Sequence, residues 1–428
     1  MLAPRFATLL TSLLAAATAV TAVAATGAPA GAVTGGGGRE SWSGVWSTAL
    51  QRPVANELTG PNWSTEGFAA ESVRQVVRVS AGGTGVRVRL SNLYGAAPLR
   101  LTGATVGKAG DGAAVRPGTL RPLTFGRSAS VTVPPGRTLA SDAVPLTTSP
   151  LEKLTVTLYF ARPTGPATFH AGGLTTSYRA AGDRRFDHAA GAFGGETSQS
   201  WYYLAGVDVT GGPRRAPGVV VAFGDSITDG AASTPGADNR YPDELAERRT
   251  AAGAAGGVLN AGLNGNMLLT DSPCLNGDAG VHRFKRDVLD QPGVRTAIVL
   301  IGINDIALDG FDVGCGAPPE IGARELIEGH RGLIRAARAH GVKIIGATLP
   351  PNEGNAYYHS AGNEKVRVEF NDWMRRSGEY DAVVDLDRVL ADPDHPKALL
   401  PAYDGGDALH PSDAGMKAIA RAVRLSLL

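Results

Sequence analysis

The 428-residue sequence predicts two folded parts of different class. A β-rich segment at 41–212, of β-sandwich or jelly-roll type, precedes an α/β segment at 217–428 with a parallel sheet and helices on both faces. Three observations predict this. Short stretches of apolar–polar alternation between turn residues fill the first part. The second part alternates continuous apolar runs with helical periodicity, the pattern of strands buried on both faces. Between them, Gly211-Gly212-Pro213-Arg214-Arg215-Ala216-Pro217 reads as a linker.

Taken in order, Arg5 precedes an apolar stretch at 6–23 and the small residues Ala22-Val23-Ala24. This reads as a secretory signal peptide, with its processing region ending by Ala32. The expected localisation is therefore extracellular. A Gly-rich tether follows at 33–40. In the β-rich part, alternation at 77–79 and 86–90 around Gly82-Gly83-Thr84-Gly85 predicts a hairpin. Strands are also expected at 129–133, turned by Pro134-Pro135-Gly136, and at 154–160. In the α/β part, apolar runs at 219–223, 297–301, 344–347 and 383–386 predict buried strands. Helices are expected at 242–255, 323–339, 366–376 and 414–425.

Composition excludes several functions. The 41 Lys plus Arg against 40 Asp plus Glu give +1, without the basic excess of a nucleic-acid binder. With 43% hydrophobic residues, the chain can bury a core. Two cysteines rule out a disulfide-dense scaffold and a Cys-based zinc finger. The neutrality is a cancellation: residues 1–200 hold 18 Lys plus Arg and 10 Asp plus Glu, the remainder 23 and 30. A basic β-rich part therefore meets an acidic α/β part. Mutual attraction is the plainer reading, and contact with an anionic glycan or cell envelope is a second.

The chemistry-bearing residues lie at predicted strand ends. Gly224-Asp225-Ser226 follows the first apolar run, and its Gly allows a tight turn that presents a hydroxyl at the sheet edge. A serine there is either a helix cap or a nucleophile. A nucleophile needs a base and a carboxylate to orient it. Asp407-Ala408-Leu409-His410-Pro411 supplies both at i, i+3. Asp394-His395-Pro396 is a decoy, its Asp adjacent to its His. The other histidines read as surface or satisfied core residues. Acyl transfer also needs oxyanion donors. Asn260-Ala261-Gly262-Leu263-Asn264-Gly265-Asn266 and Gly302-Ile303-Asn304-Asp305 follow two further strands. Asp225 and Asp305 read as capping or loop-bonding residues rather than extra acids.

Together these four blocks, in this order, resemble the SGNH hydrolases, also called the GDSL esterase/lipase family. The resemblance runs from about residue 219 to the C-terminus. It implies a flavodoxin-like three-layer α/β/α domain, with Ser226 as nucleophile, His410 as base and Asp407 orienting it. It also implies oxyanion donors at the Ser226 and Gly265 backbone N–H groups and the Asn304 side chain. Ile227 departs from the Leu of the family name without touching the chemistry. Residues 68–90 and 122–144 resemble the N-terminal module of some secreted actinobacterial esterases. No metal or cofactor is expected.

Cys274 and Cys315 each lie shortly after an oxyanion block, and export favours oxidation, so a disulfide between them is expected to brace the site rim. The expected substrate is a short-chain or carbohydrate-linked (acetyl) ester. Tyr357, Tyr358 and Tyr403 stand near the site instead of a Leu/Phe-rich lid. A lipase or phospholipase is the alternative. So is glycan binding as the module's main role, with Trp42, Trp46, Trp63 and Trp201 either a stacking platform or core. Stable membrane insertion is not expected.

Overall fold

The computed structural model describes residues 41–55, 60–212, 218–254, 256–312 and 314–428. The expected signal peptide, the tether at 33–40 and linker residues 213–217 lie outside the described residues.

Two large antiparallel sheets build the body of the N-terminal module, beside two two-stranded ones. In one, Ser43–Ser47 pairs with Leu204–Thr210, which pairs with Gly83–Ser91; the last also pairs with Thr138–Ala140 and Val144–Thr148. In the other, Glu71–Arg78 lies between Ser177–Ala181 and Lys153–Phe160, and Lys153–Phe160 continues to Gly103–Lys108. Alternate side chains from both sheets, such as Val73, Val77, Leu154 and Val156 from one and Val86, Val88 and Leu90 from the other, share one buried cluster. That is a β-sandwich.

The hairpin expected around Gly82–Gly85 does not form. Both strands exist, at Glu71–Arg78 and Gly83–Ser91, but they belong to different sheets. The Ser80–Gly82 stretch carries the chain across the sandwich rather than folding it back. Alternation reports a half-buried strand, and it does not say which neighbour completes the ladder.

The α/β part holds five parallel strands in the order Val258–Gly262, Val219–Gly224, Val294–Leu300, Lys343–Ala347, Ala382–Val384. This is the 2-1-3-4-5 order of flavodoxin-like sheets, whose sites lie at the carboxyl edge where strand order reverses. Residues 219–223 are all buried, as their unbroken apolar run requires. Helices Tyr241–Ala251 and Asp413–Ala422 pack together, as do Ala323–Ala339 and Ala361–Arg376, covering the sheet with two layers. The third of these helices has the expected bounds; Ala361–Arg376 begins a turn earlier than expected because Ser360 caps it, accepting from Asn363 N.

Both parts belong to one compact unit beginning at residue 40. The module meets the sheet along its outer strand. Gly44 N donates to Pro292 O at 2.8 Å. Val258 N donates to Ser80 Oγ at 2.8 Å, and that hydroxyl donates to Val45 O.

Candidate active site

Strand Val219–Gly224 ends in a sharp turn into the short helix Ser226–Asp229. Asp225 caps this helix, its Oδ1 accepting from Ile227 N at 3.1 Å. Ser226 thus stands first in the helix, where its backbone N–H has no intrahelical partner. The strand ends are level: Gly224 lies opposite both Gly262 and Leu300. The segments carrying Ser226, Gly265 and Asn304 therefore leave the sheet side by side.

The structure brings Ser226, His410 and Asp407 together. His410 Nε2 lies 2.8 Å from Ser226 Oγ, and His410 Nδ1 lies 2.6 Å from Asp407 Oδ2. Asp407 Oδ1 also accepts from the backbone N–H groups of His410 and Leu409. Burial alone would raise the Asp407 carboxyl, but the hydrogen bonds from the His410 ring and these backbone groups outweigh it and hold it down to about 2. An ionised carboxylate only accepts, so the imidazole carries its proton on Nδ1. Nε2 is left to accept the serine proton.

Gly265 has φ +67°, and a Cβ there would sit 2.5 Å from Asn276 Oδ1. Only glycine fits this turn. Its N–H donates to no other backbone group among the described residues. Asn304 is buried, donating through Nδ2 to Asn266 O at 3.0 Å and accepting at Oδ1 from Tyr358 OH at 2.7 Å. Burial pushes the Tyr358 phenol up, so it stays a donor and fixes which way the Asn304 amide faces. One amide N–H of Asn304 then remains to be used.

Asp305 and Asp225 serve the backbone. Asp305 accepts from Leu268 N and Leu269 N at 2.7 and 2.9 Å, holding the loop that carries Gly265. Burial pushes both carboxyls up to about 7. Cys274 and Cys315 form a disulfide, between the loops after Gly265 and Asn304. The decoy His395 is exposed. His330 is a satisfied core residue between Tyr380 OH and Ile301 O, and burial pushes it down to about 4.

Two sets of residues carried no motif. Fully buried Arg283 donates to Gly224 O, Ala261 O and Asn266 Oδ1, tying two strand ends to the Gly265 loop. His170 of the module reaches Asp229 Oδ1 at 3.0 Å, at the end of the Ser226 helix. A cavity of about 380 Å³ opens beside Ser226, Gly265, Tyr358 and His410, within the roughly 300–1,000 Å³ usual for small-molecule sites. Trp46, Trp63 and Trp201 are buried in the module core. Trp42 is partly buried, and Arg87 covers its ring at 4.3 Å. The four do not form an open stacking platform.

Residues 222–418 match the profile of the GDSL-like Lipase/Acylhydrolase family. No curated protein matches the chain. Among solved structures it is similar to the lipase/acylhydrolase from Enterococcus faecalis (18% identity, 48% of this chain and 93% of that one, TM-score 0.37). It is also similar to a mutant of Axe2, an acetyl-xylooligosaccharide esterase from Geobacillus Stearmophilus (24%, 48% and 92%, TM-score 0.37). A third is a carbohydrate acetylesterase family member from Sinorhizobium meliloti (20%, 48% and 95%, TM-score 0.38).

Proposed function

We propose that the chain, whose residues 222–418 match the profile of the GDSL-like Lipase/Acylhydrolase family, is an exported serine esterase acting through an acyl-enzyme on short-chain or carbohydrate-linked acyl esters. The observation that carries this reading is the unbroken relay from Asp407 through His410 to Ser226 Oγ. In the first step His410 Nε2 takes the Ser226 proton as Oγ attacks the ester carbonyl. The Ser226 and Gly265 backbone N–H groups and the Asn304 amide stabilise the oxyanion. His410 then gives its proton to the leaving alcohol. In the second step His410 takes a proton from water as that water attacks the acyl-enzyme, and returns it to Ser226 Oγ as the acid leaves.

The substrate class rests on a cavity of about 380 Å³ and on Tyr358 within it, in place of a broad apolar trough. Export rests on the sequence at 1–32. No helix among the described residues is long and apolar enough to cross a membrane.

The test is an ester panel from p-nitrophenyl acetate to palmitate, with acetylated xylan, on the wild type and Ser226→Ala. The variant is expected to lose about 10⁴-fold or more in kcat, as other serine hydrolases do on losing the nucleophile. Activity surviving in Ser226→Ala would reject the nucleophile, and a preference for palmitate would reject the substrate class.

A further inference from the structure

The cavity beside Ser226 is not built by the hydrolase domain alone. Gln51, Ala171, Gly172, Leu174 and Gln199, all from the β-sandwich module, form one side of it. We propose that the module is part of the substrate site, and that Leu174 sets how large an ester group the pocket accepts. This deepens the esterase reading above and rests on it.

The wall is a built structure. Ala171 N donates to Gln51 Oε1, and Ala171 O accepts from Ser200 Oγ. Gln51 is itself buried, and its Nε2 donates across to Leu275 O of the hydrolase domain at 3.0 Å. Gly172 allows the close approach: a Cβ there would lie 2.4 Å from Asn264 Nδ2 and 2.6 Å from Asp229 Oδ2. The bare backbone of the module therefore rests directly on the nucleophile helix and on the loop before Gly265.

Leu174 has φ +48°, a conformation that costs a leucine energy and persists only where its surroundings enforce it. The enforcement is visible: Gly236 N of the hydrolase domain donates to Leu174 O at 2.7 Å. A strained leucine held by the hydrolase domain lines the same cavity as the Ser226–His410 pair. Of the other residues of this wall, Ala171 and Gly172 are small, Gln51 is committed to hydrogen bonds and Gln199 is polar, which leaves Leu174 as its one apolar side chain longer than a methyl group. Its isobutyl group is then the side chain that limits length.

The experiment uses the full chain with Leu174→Gly, which accepts positive φ without strain, and Leu174→Ala as a second variant. The kcat/KM values are measured along an acyl series (p-nitrophenyl acetate to octanoate) and an alcohol series (methyl to octyl acetate). One long-to-short ratio is expected to rise about tenfold or more, since each methylene a hydrophobic pocket admits or rejects is worth roughly that much. The series that moves identifies the half of the ester lying against the module. Unchanged ratios in both series, in variants that unfold as cooperatively as the wild type, would overturn the proposal. Ser226→Ala in the same panel separates the two failures. An inactive Ser226→Ala with unmoved Leu174 ratios rejects the module wall alone, whereas an active one rejects the esterase reading beneath it.

Discussion

A buried aspartate of the sandwich and two buried aspartates at the active-site edge are held in opposite ways. In the sandwich, Asp208 is fully buried between Arg87 and Arg89, at 2.9 and 3.1 Å. In the hydrolase domain, buried Asp225 and Asp305 have backbone N–H groups as their hydrogen-bond partners, and Asp225 Oδ2 has none. Where the parts meet, the asymmetry becomes a rule. Among the described residues, every ion pair across the boundary has its nitrogen on the module and its carboxylate on the hydrolase domain. These pairs are Arg52–Asp278, Arg78–Asp238, Arg78–Glu247 and Lys153–Asp238, and the buried His170–Asp229 hydrogen bond is placed the same way. The opposite net charges in the sequence are in part spent inside the molecule. The module supplies cations and a pocket wall; the domain supplies carboxylates and the reacting groups.

The sharpest test of that division is His170. Its Nδ1 lies 2.7 Å from Ala49 O, a carbonyl that only accepts, so the ring donates there. Its Nε2 faces Asp229 Oδ1, and both side chains are buried. His170→Ala leaves Asp229 buried with neither oxygen bonded, at the end of the Ser226 helix. Leaving a buried hydrogen-bonding group without its partner costs about 1–3 kcal/mol, and urea unfolding should show a loss of that size. Asp229→Asn placed in the His170→Ala background should recover part of it. A loss below about 1 kcal/mol would mean that the pair does not join the two parts.

This comparison also separates what was legible in the sequence from what was not. The hydrolase strands were readable because burial on both faces demands unbroken apolar runs, as at 219–223. Ser226, Gly265, Asn304, Asp407 and His410 were readable because each belongs to a short local pattern at a strand end. The disulfide was readable from there being two cysteines only. Gln51, His170, Leu174 and Gln199 had no such pattern. They come from three separate segments of the module, and what unites them is the docking of one part on the other, which no local spacing encodes. Arg283 was hidden for the same reason: its three carbonyl and amide partners lie 17 to 59 residues away. The hairpin expected around Gly82–Gly85 failed because strand pairing in a sandwich is also non-local.

The next test asks whether the acids of the domain behave differently from the paired acid of the module. Burial holds Asp225 and Asp305 at about 7 in the folded protein, against about 3.9 for an unfolded Asp. Between these values the folded state binds more protons than the unfolded state. Their contribution to stability is therefore complete below about pH 4 and is lost as pH rises to about 7. Asp225→Asn keeps the cap, since Asn caps helices as well as Asp, and should flatten the decline. Denaturant midpoints between pH 4 and 8 would check this; an unchanged slope in Asp225→Asn would remove Asp225 from the account.

The smallest expected effect concerns the exposed part of the boundary. Lys153 Nζ lies 2.7 Å from Asp238 Oδ2, with the lysine side chain 41% exposed and the aspartate 7% exposed. Pairs with an exposed partner contribute about 0–1 kcal/mol and weaken with salt. Arg78 also approaches Asp238, at 4.0 Å, so Lys153→Ala does not leave that carboxylate without a cation. The loss in Lys153→Ala should stay below about 1 kcal/mol and shrink further by 1 M salt. His170→Ala, whose pair is shielded from solvent, should lose nearly the same stability at both ionic strengths. If the two variants share one salt dependence, the boundary is a uniform electrostatic contact. If only Lys153→Ala responds, it consists of a buried centre at the end of the nucleophile helix and a screened rim, and the rim can be altered without moving the pocket wall.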